Sequence, residues 1–176
     1  MPQVKLQKAL QSMFQNPLGN NKGISIIEIL IVVAIIGIAF SSLLGLASFS
    51  LGVSTLIKQT NQANNLSQEV IEAVRNFRDG TNWNINGLGT LTPGISYYPK
   101  KSTDTPPKWQ LISGEEEIFP FKRKIIIEKV SRDPTTDNIE ITYNAANDDP
   151  NAKKIIVTVS WKDKKVEIVT YLTNWK

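Results

Sequence analysis

The sequence predicts an α+β fold: a long N-terminal α-helix, membrane-spanning in its first half and amphipathic in its second, packed on a C-terminal antiparallel β-sheet. Three observations lead there. No charged residue occurs from Ile29 to Ile57, a run of 29 positions. From Val53 to Phe77, apolar and small residues recur at spacings of three and four. Beyond Gly80 the composition turns to Asn, Gly, Thr and Pro, and then to short runs rich in β-formers. A helix followed by a series of strands is the order of α+β, not of βαβ units. The chain then divides into a leader (1–23), a membrane-length helix (24–57), its amphipathic continuation (58–79) and a β-rich globular domain (80–176).

Composition narrows the function classes. At 176 residues there is room for one membrane segment and one modest soluble domain. The formal net charge is +4, but residues 1–23 hold Lys5, Lys8 and Lys22 without an acid, so the remainder carries +1. A near-neutral body gives no reason to expect nucleic acid as a partner. Cysteine is absent, which removes disulfides and thiolate metal sites. Histidine is absent too, and with it the commonest general base and metal ligand. No nucleophile elbow, phosphate loop or metal-ligand cluster is present. No enzyme, catalytic residue, cofactor or bound metal is therefore expected.

In the leader, Val4, Leu6, Ala9, Leu10, Met13 and Phe14 line a weak helical face, ended by Asn16-Pro17 and Gly19. The positive-inside bias keeps its lysines in the cytoplasm. The following segment then leaves the cytoplasm C-terminus first, as a single-pass membrane protein. A hydrocarbon core about 30 Å thick needs roughly 20 helical residues, so the charge-free run is long enough to span it. An ordinary secretory signal has an apolar region of only about 7–15 residues, which argues against removal near Ala47-Ser48. Glu28 lies just inside the apolar segment, where a carboxylate is costly and marks a candidate functional site. Its missing partner is a positive charge. In the plainest alternative, the segment is an uncleaved signal anchor with Glu28 among the headgroups.

The order Lys22-Gly23-Ile24-Ser25-Ile26-Ile27-Glu28, followed by the apolar run, resembles the class III signal of type IV pilins and type II secretion pseudopilins. The resemblance implies the pilin fold, with the first helical half in lipid or a filament core. It implies cleavage after Gly23 by a prepilin peptidase and N-methylation of the new terminal residue, Ile24. Glu28 would then neutralise the N-terminal amine of a neighbouring subunit during assembly. The implied partners are the peptidase, other pilin or pseudopilin subunits, an inner-membrane assembly platform, and membrane lipid before assembly. The family most often starts its mature chain with Phe or Met, where this chain has Ile24. Many members carry a disulfide, which this sequence cannot form, and a mid-helix proline, where this chain has Gly37 and Gly45. Glycine inside a helix costs roughly 0.5–1 kcal/mol relative to alanine, so the segment around Ser41-Ser42 is locally soft.

Beyond Ile57 the helix changes character. Val53, Leu56, Thr60, Ala63, Ser67, Val70, Val74 and Phe77 form one stripe, widened by Leu66 and Ile71, as a helix packed on a sheet requires. The spacing is too irregular for a heptad coiled coil. Asp79-Gly80 supplies a glycine stop. A helix from Ile24 to Arg78 would run about 80 Å. Thr81 to Gly94, carrying Trp83, reads as a surface loop, with Gly87-Leu88-Gly89 its flexible part.

Strands are expected at Ile95–Tyr98, Trp109–Ser113, Phe119–Val130, Ile139–Tyr143, Lys154–Trp161 and Val166–Thr173. Ile155, Val157, Val159 and Trp161 share one face. Lys162-Asp163-Lys164 turns the last two strands into an antiparallel hairpin. Asp133-Pro134 and Asp148-Asp149-Pro150 punctuate other junctions. The closing strands, ending Thr170-Tyr171-Leu172-Thr173-Asn174-Trp175, also resemble the C-terminal hairpin of minor pilins of the PilV and pseudopilin I type.

Two further constellations bear on ligands. Asp133, Asp137, Asp148 and Asp149 could supply calcium oxygens, although aspartates beside Pro and Asn usually make turns. Lys122-Arg123-Lys124, Lys153-Lys154 and Lys162/Lys164/Lys165, with Trp109 and Trp161, could meet DNA. Glu115-Glu116-Glu117 lies close by, however, and lysines along strands more simply protect an edge. The expected function is that of a structural or assembly subunit, a minor pilin or pseudopilin. The alternative is a membrane-anchored β-domain binding module for DNA or glycan.

Overall fold

Residues 23–175 are described by the structure, a computed structural model. The leader lysines Lys5, Lys8 and Lys22 lie outside the described residues. Helix α1, Ile26–Gly80, runs 55 residues without a break. It opens on Ser25, whose carbonyl accepts the N–H groups of Glu28 (3.0 Å) and Ile29 (3.2 Å). Glu28 in the first turn and Arg78 in the last complement the helix dipole. At the far end, the Thr81 hydroxyl donates to the Phe77 carbonyl at 2.6 Å, satisfying one of the last turn's orphan acceptors. The helix therefore starts and stops two residues later than the sequence predicts.

The chain divides into two units between Gly52 and Val53. In the first, every described residue from Gly23 to Gly52 is exposed. Its two central hydroxyls turn back on the helix: Ser41 donates to Gly37 O (2.9 Å) and Ser42 to Ile38 O (3.0 Å). Polar groups satisfied within the helix suit an apolar solvent. Among the described residues, α1 is the one helix long and apolar enough to cross a membrane.

The second unit contains the rest of α1 and a six-stranded antiparallel sheet. Its strands are β1 (Ser96–Lys101), β2 (Trp109–Ser113), β3 (Glu116–Ile118), β4 (Phe121–Ser131), β5 (Asp148–Trp161) and β6 (Lys164–Thr173). The order is β2-β1-β4-β5-β6, with β3 also pairing with β4. Register places Ile125 opposite Val157 and Val157 opposite Ile168, so one face of three strands is continuously apolar. Ala63, Ser67, Val70, Ile71, Ala73, Val74 and Phe77 are the buried face of α1. Val70, Ile71, Val74 and Phe77 pack against Ile125, Ile127, Ile155 and Val157 in the main core cluster. Each such side chain contributes roughly 1.5–3 kcal/mol through burial. Val53 and Leu56, which the periodicity assigns to the same stripe, are exposed.

Three expectations need correction. The strand expected at Phe119–Val130 begins only at Phe121 and runs to Ser131, because Phe119-Pro120 forms a tight turn between β3 and β4. Proline has no N–H to give a ladder, so the chain reverses there. Ile139–Tyr143 is not a strand either: it makes a single bridge, Arg132↔Ile139, and Ile141 is fully exposed. The sides of β4 are already taken by β5 on one edge and by β1 and β3 on the other. Nor is Thr81–Gly94 a flexible surface loop. Trp83 is buried and donates Nε1–H to the Pro150 carbonyl at 3.0 Å, and Leu88 is wholly buried. A Cβ at Gly89 would lie 2.6–2.8 Å from Trp83 atoms, so glycine is required by close approach. The expected β5–β6 hairpin is present, closed by Lys162-Asp163 with Lys162 at φ 49°.

Candidate functional site: the N-terminal segment

Gly23, Ile24 and Glu28 lie within six consecutive residues at the start of the described chain. Gly23 has open space where a side chain would project. Ile24 is 71% exposed, and neither residue belongs to the helix. Glu28 stands in the first turn of α1 and is exposed like its neighbours. The carboxylate is thus carried on the helix, while the Gly23–Ile24 bond lies just before it. Downstream, the apolar side chains from Ile29 to Leu51 are exposed all round the helix.

The four aspartates Asp133, Asp137, Asp148 and Asp149 do not converge on a calcium site. Asp133 Oδ1 accepts the Thr135 and Thr136 amides at 2.7 and 3.0 Å, which holds its carboxyl below the usual carboxylate range. Asp137 sits at φ 59°, and its carbonyl accepts from Arg132. Asp148 meets Lys129 at 3.3 Å and accepts the Tyr143 hydroxyl, and Asp149 meets Arg132 at 2.6 Å. Among the described residues, no three acidic side chains gather to hold an ion.

The basic runs are split by strand alternation. Arg123 points inward and is buried, contacting Glu116 at 2.6 Å and Glu69 of α1 at 3.3 Å. On the other face, Lys122 lies opposite Glu117 (3.9 Å) and Lys124 near Glu115 (2.7 Å). Lys154 is paired with Glu128 at 3.0 Å, and that hydrogen bond raises its pKa. Lys153 is buried instead, and desolvation lowers its pKa. Opposite charges therefore interleave where the sequence suggests cationic blocks. Trp161 is core, packed on Phe121 with ring centroids 5.7 Å apart. Trp109 is partly buried beside the main core cluster, with Lys101 Nζ 5.0 Å from the centre of its ring.

A cleft of about 360 Å³ opens where α1 ends and β6 finishes, lined by Arg78, Asn82, Asn84, Asn174 and Trp175. Trp175 is 63% exposed, with the Arg78 guanidinium 5.8 Å from its ring centre. Sequence reading missed this juxtaposition, since its parts are nearly a hundred residues apart. No protein-family model, curated protein or solved structure matches the chain, which leaves its own residues to carry the functional reading.

Proposed function

We propose that the chain is a structural or assembly subunit, a minor pilin or pseudopilin, of a type IV pilus-like or type II secretion filament. The observation that carries this reading is the hexapeptide Gly23–Glu28 placed directly before a charge-free helical run, on a helix whose later part is the spine of a β-domain. The subunit waits as a single-pass protein of the inner membrane with its N-terminus in the cytoplasm. Prepilin peptidase cleaves after Gly23, and the freed amine of Ile24 is N-methylated. At the assembly platform, Glu28 of one subunit meets the amine of the next. The pair offsets much of the desolvation cost that either charge alone would suffer in an apolar filament core. Head-to-tail repetition of such contacts gives an open helix rather than a ring.

Mass spectrometry of protein from its native host tests this, with an expected chain start at methylated Ile24. Gly23→Val is expected to leave the uncut precursor in the membrane. Because the position has open space, that failure reports on the peptidase and not on folding. A native chain beginning at Met1, or just after Ala47, would overturn the proposal.

A second reading, a membrane-anchored β-domain binding a glycan, draws on the cleft at Trp175. An exposed indole ringed by amides suits a sugar's apolar face and hydroxyls. Glycan binding by full-length, uncleaved protein would favour it over the first.

A further inference from the structure

A second cleft opens beside the end of α1. It has a volume of about 450 Å³ and is lined by Asn76, Thr81, Asn86, Trp109 and Gln110, and Thr81 also lines the cleft at Trp175. Both clefts belong to the same compact unit and meet at the stretch from Asn76 to Asn86. Their volumes fall in the usual range of small-ligand sites, roughly 300–1,000 Å³.

The two clefts repeat one chemistry. Each holds an indole with a cation over its ring: Arg78 on Trp175 at 5.8 Å, and Lys101 on Trp109 at 5.0 Å. Such a cation restrains the ring it covers. Side-chain amides stand beside the indoles, and bonds within the fold fix which end of each amide faces outward. Asn86 Oδ1 accepts the backbone N–H of Asn82 at 2.8 Å, and Asn82 Oδ1 accepts that of Asn84 at 3.1 Å. The NH2 groups of Asn82 and Asn86 are therefore left as donors, with no acceptor among the described residues. Asn76 and Asn174 are the converse. Their Nδ2 groups donate to Glu72 O (2.7 Å) and Asn151 Oδ1 (3.1 Å), which leaves each Oδ1 as an acceptor. A hydroxyl both donates and accepts, so donors and acceptors set around an indole match a pyranose, with its apolar face and its rim of hydroxyls. Charge nearly balances: Arg78 meets Asp79 at 2.8 Å, and the second cleft has one acid, Asp104, and one base, Lys108.

We propose that the two clefts are subsites for one neutral oligosaccharide chain, which rests sugar rings on Trp175 and Trp109 and crosses at Thr81. This assignment rests on the glycan reading of the Trp175 cleft and extends it, and it does not depend on how the N-terminal segment is processed. A chain that fills both subsites loses its translational freedom once, so affinity rises with chain length. A ligand confined to one cleft gains nothing from added sugars.

The test uses full-length protein from its native host, in a detergent without a sugar headgroup, with the chain start read by mass spectrometry on the same sample. Calorimetric titrations compare cellohexaose, chitohexaose and maltohexaose with cellobiose, chitobiose and maltose. At least one hexasaccharide should bind about tenfold or more tighter than its disaccharide. Trp175→Ala and Trp109→Ala should each weaken the hexasaccharide by about fivefold to tenfold. Trp109 also packs beside the core, so Gln110→Ala, on the exposed side of β2, provides a second variant of that cleft, with an expected loss of about threefold. Binding that falls with Trp175→Ala, is equal for long and short sugars and ignores both changes at the second cleft overturns the spanning and leaves the single-cleft reading standing. No binding of any hexasaccharide at millimolar concentration overturns both. Tighter binding of a sulfated hexasaccharide than of the neutral ones overturns the neutral class and assigns the clefts to an anion. The filament reading stands or falls separately, on the chain start.

Discussion

One continuous helix passes through two regimes. From Ile26 to Gly52 it is apolar on every side and buries nothing, whereas from Ala63 to Phe77 a single stripe is buried against a sheet. The earlier stretch is the more apolar of the two, yet it belongs to no core. What makes a core is a face, and a helix that is apolar all round needs a solvent or a partner supplied from outside. Charge follows the same division. The first unit's described residues include one ionisable side chain, Glu28, while the second buries Arg123 between two carboxylates and also buries Lys153.

The largest expected effect falls on that one acid. Glu28→Ala and Glu28→Gln should insert in the membrane and be cut after Gly23 like the wild type, since Glu28 is exposed and the helix does not depend on its side chain. Both should then fail to assemble. Losing one partner of an ion pair in an apolar core costs about 3–5 kcal/mol, or roughly a hundredfold or more in recovery of cleaved protein in sheared filaments. Wild-type incorporation by both variants would make Glu28 an interfacial acid and remove its proposed mechanism.

A matched pair of truncations breaks or sharpens the contrast next. Ile125 is wholly buried in the main cluster, so Ile125→Ala should lower domain stability by about 3–4 kcal/mol, the usual cost of a core cavity. Leu44, 70% exposed in the first unit, should leave the domain's denaturant midpoint unchanged when replaced by alanine. A shift from Leu44→Ala comparable to that of Ile125→Ala would mean that the two stretches share a core after all.

These outcomes bear on how much the sequence could disclose. The helix, the inward face Ile155-Val157-Val159-Trp161 and the final hairpin were all legible, because period and turn chemistry are local signals, whereas Gly80 is the last helical residue and not a left-handed stop. The β3–β4 hairpin was legible in principle: Glu116-Glu117-Ile118 mirrors Phe121-Lys122-Arg123 across Phe119-Pro120, and the register pairs Glu116 with Arg123, Glu117 with Lys122 and Ile118 with Phe121. Taken as neighbours in sequence only, those charges looked like a surface cluster, and Arg123 like part of a basic run. The packed loop at Trp83 was not legible, since Gly87 and Gly89 look flexible until a buried indole is known to lie against them. Ile139–Tyr143 failed for a related reason: alternation promises a strand only where an edge is free to receive it. Of the candidate site, Gly23, Ile24 and Glu28 carry their signal in order and spacing alone, and the fold adds only their exposure.

Glycine offers a smaller test of the same contrast. Gly45 has nothing within 4 Å of the place a Cβ would occupy, while at Gly89 that atom would strike the Trp83 carbonyl and ring. Gly89→Ala should destabilise the domain by about 2 kcal/mol through overpacking and perturb Trp83 fluorescence. Gly45→Ala should leave the domain unmoved and stiffen its helix by about 0.5–1 kcal/mol. Equal and neutral results would show that the loop yields to a methyl group.

The smallest effect concerns Lys153, the domain's own example of a charge held where the first unit tolerates none but Glu28. The residue as a whole is 6% exposed on β5, and burial, the largest cause, lowers its pKa, with Lys129 pushing the same way and Asp148 and Asp149 opposing. Lys153→Met keeps the length of the side chain and removes the charge, so it should stabilise the domain near neutral pH by about 1 kcal/mol. The pH dependence gives the sign. With the folded-state pKa below the ordinary 10.5, the unfolded chain holds more protons between the two values, and stability rises with pH through that window. Below the window both states are charged and the burial cost stands in full. Denaturant midpoints of the two proteins should therefore differ most near neutral pH and draw together as pH climbs toward 10.5. A gap that stays constant over that range would mean that Lys153 keeps its proton through folding, with its head in water and only its stem buried.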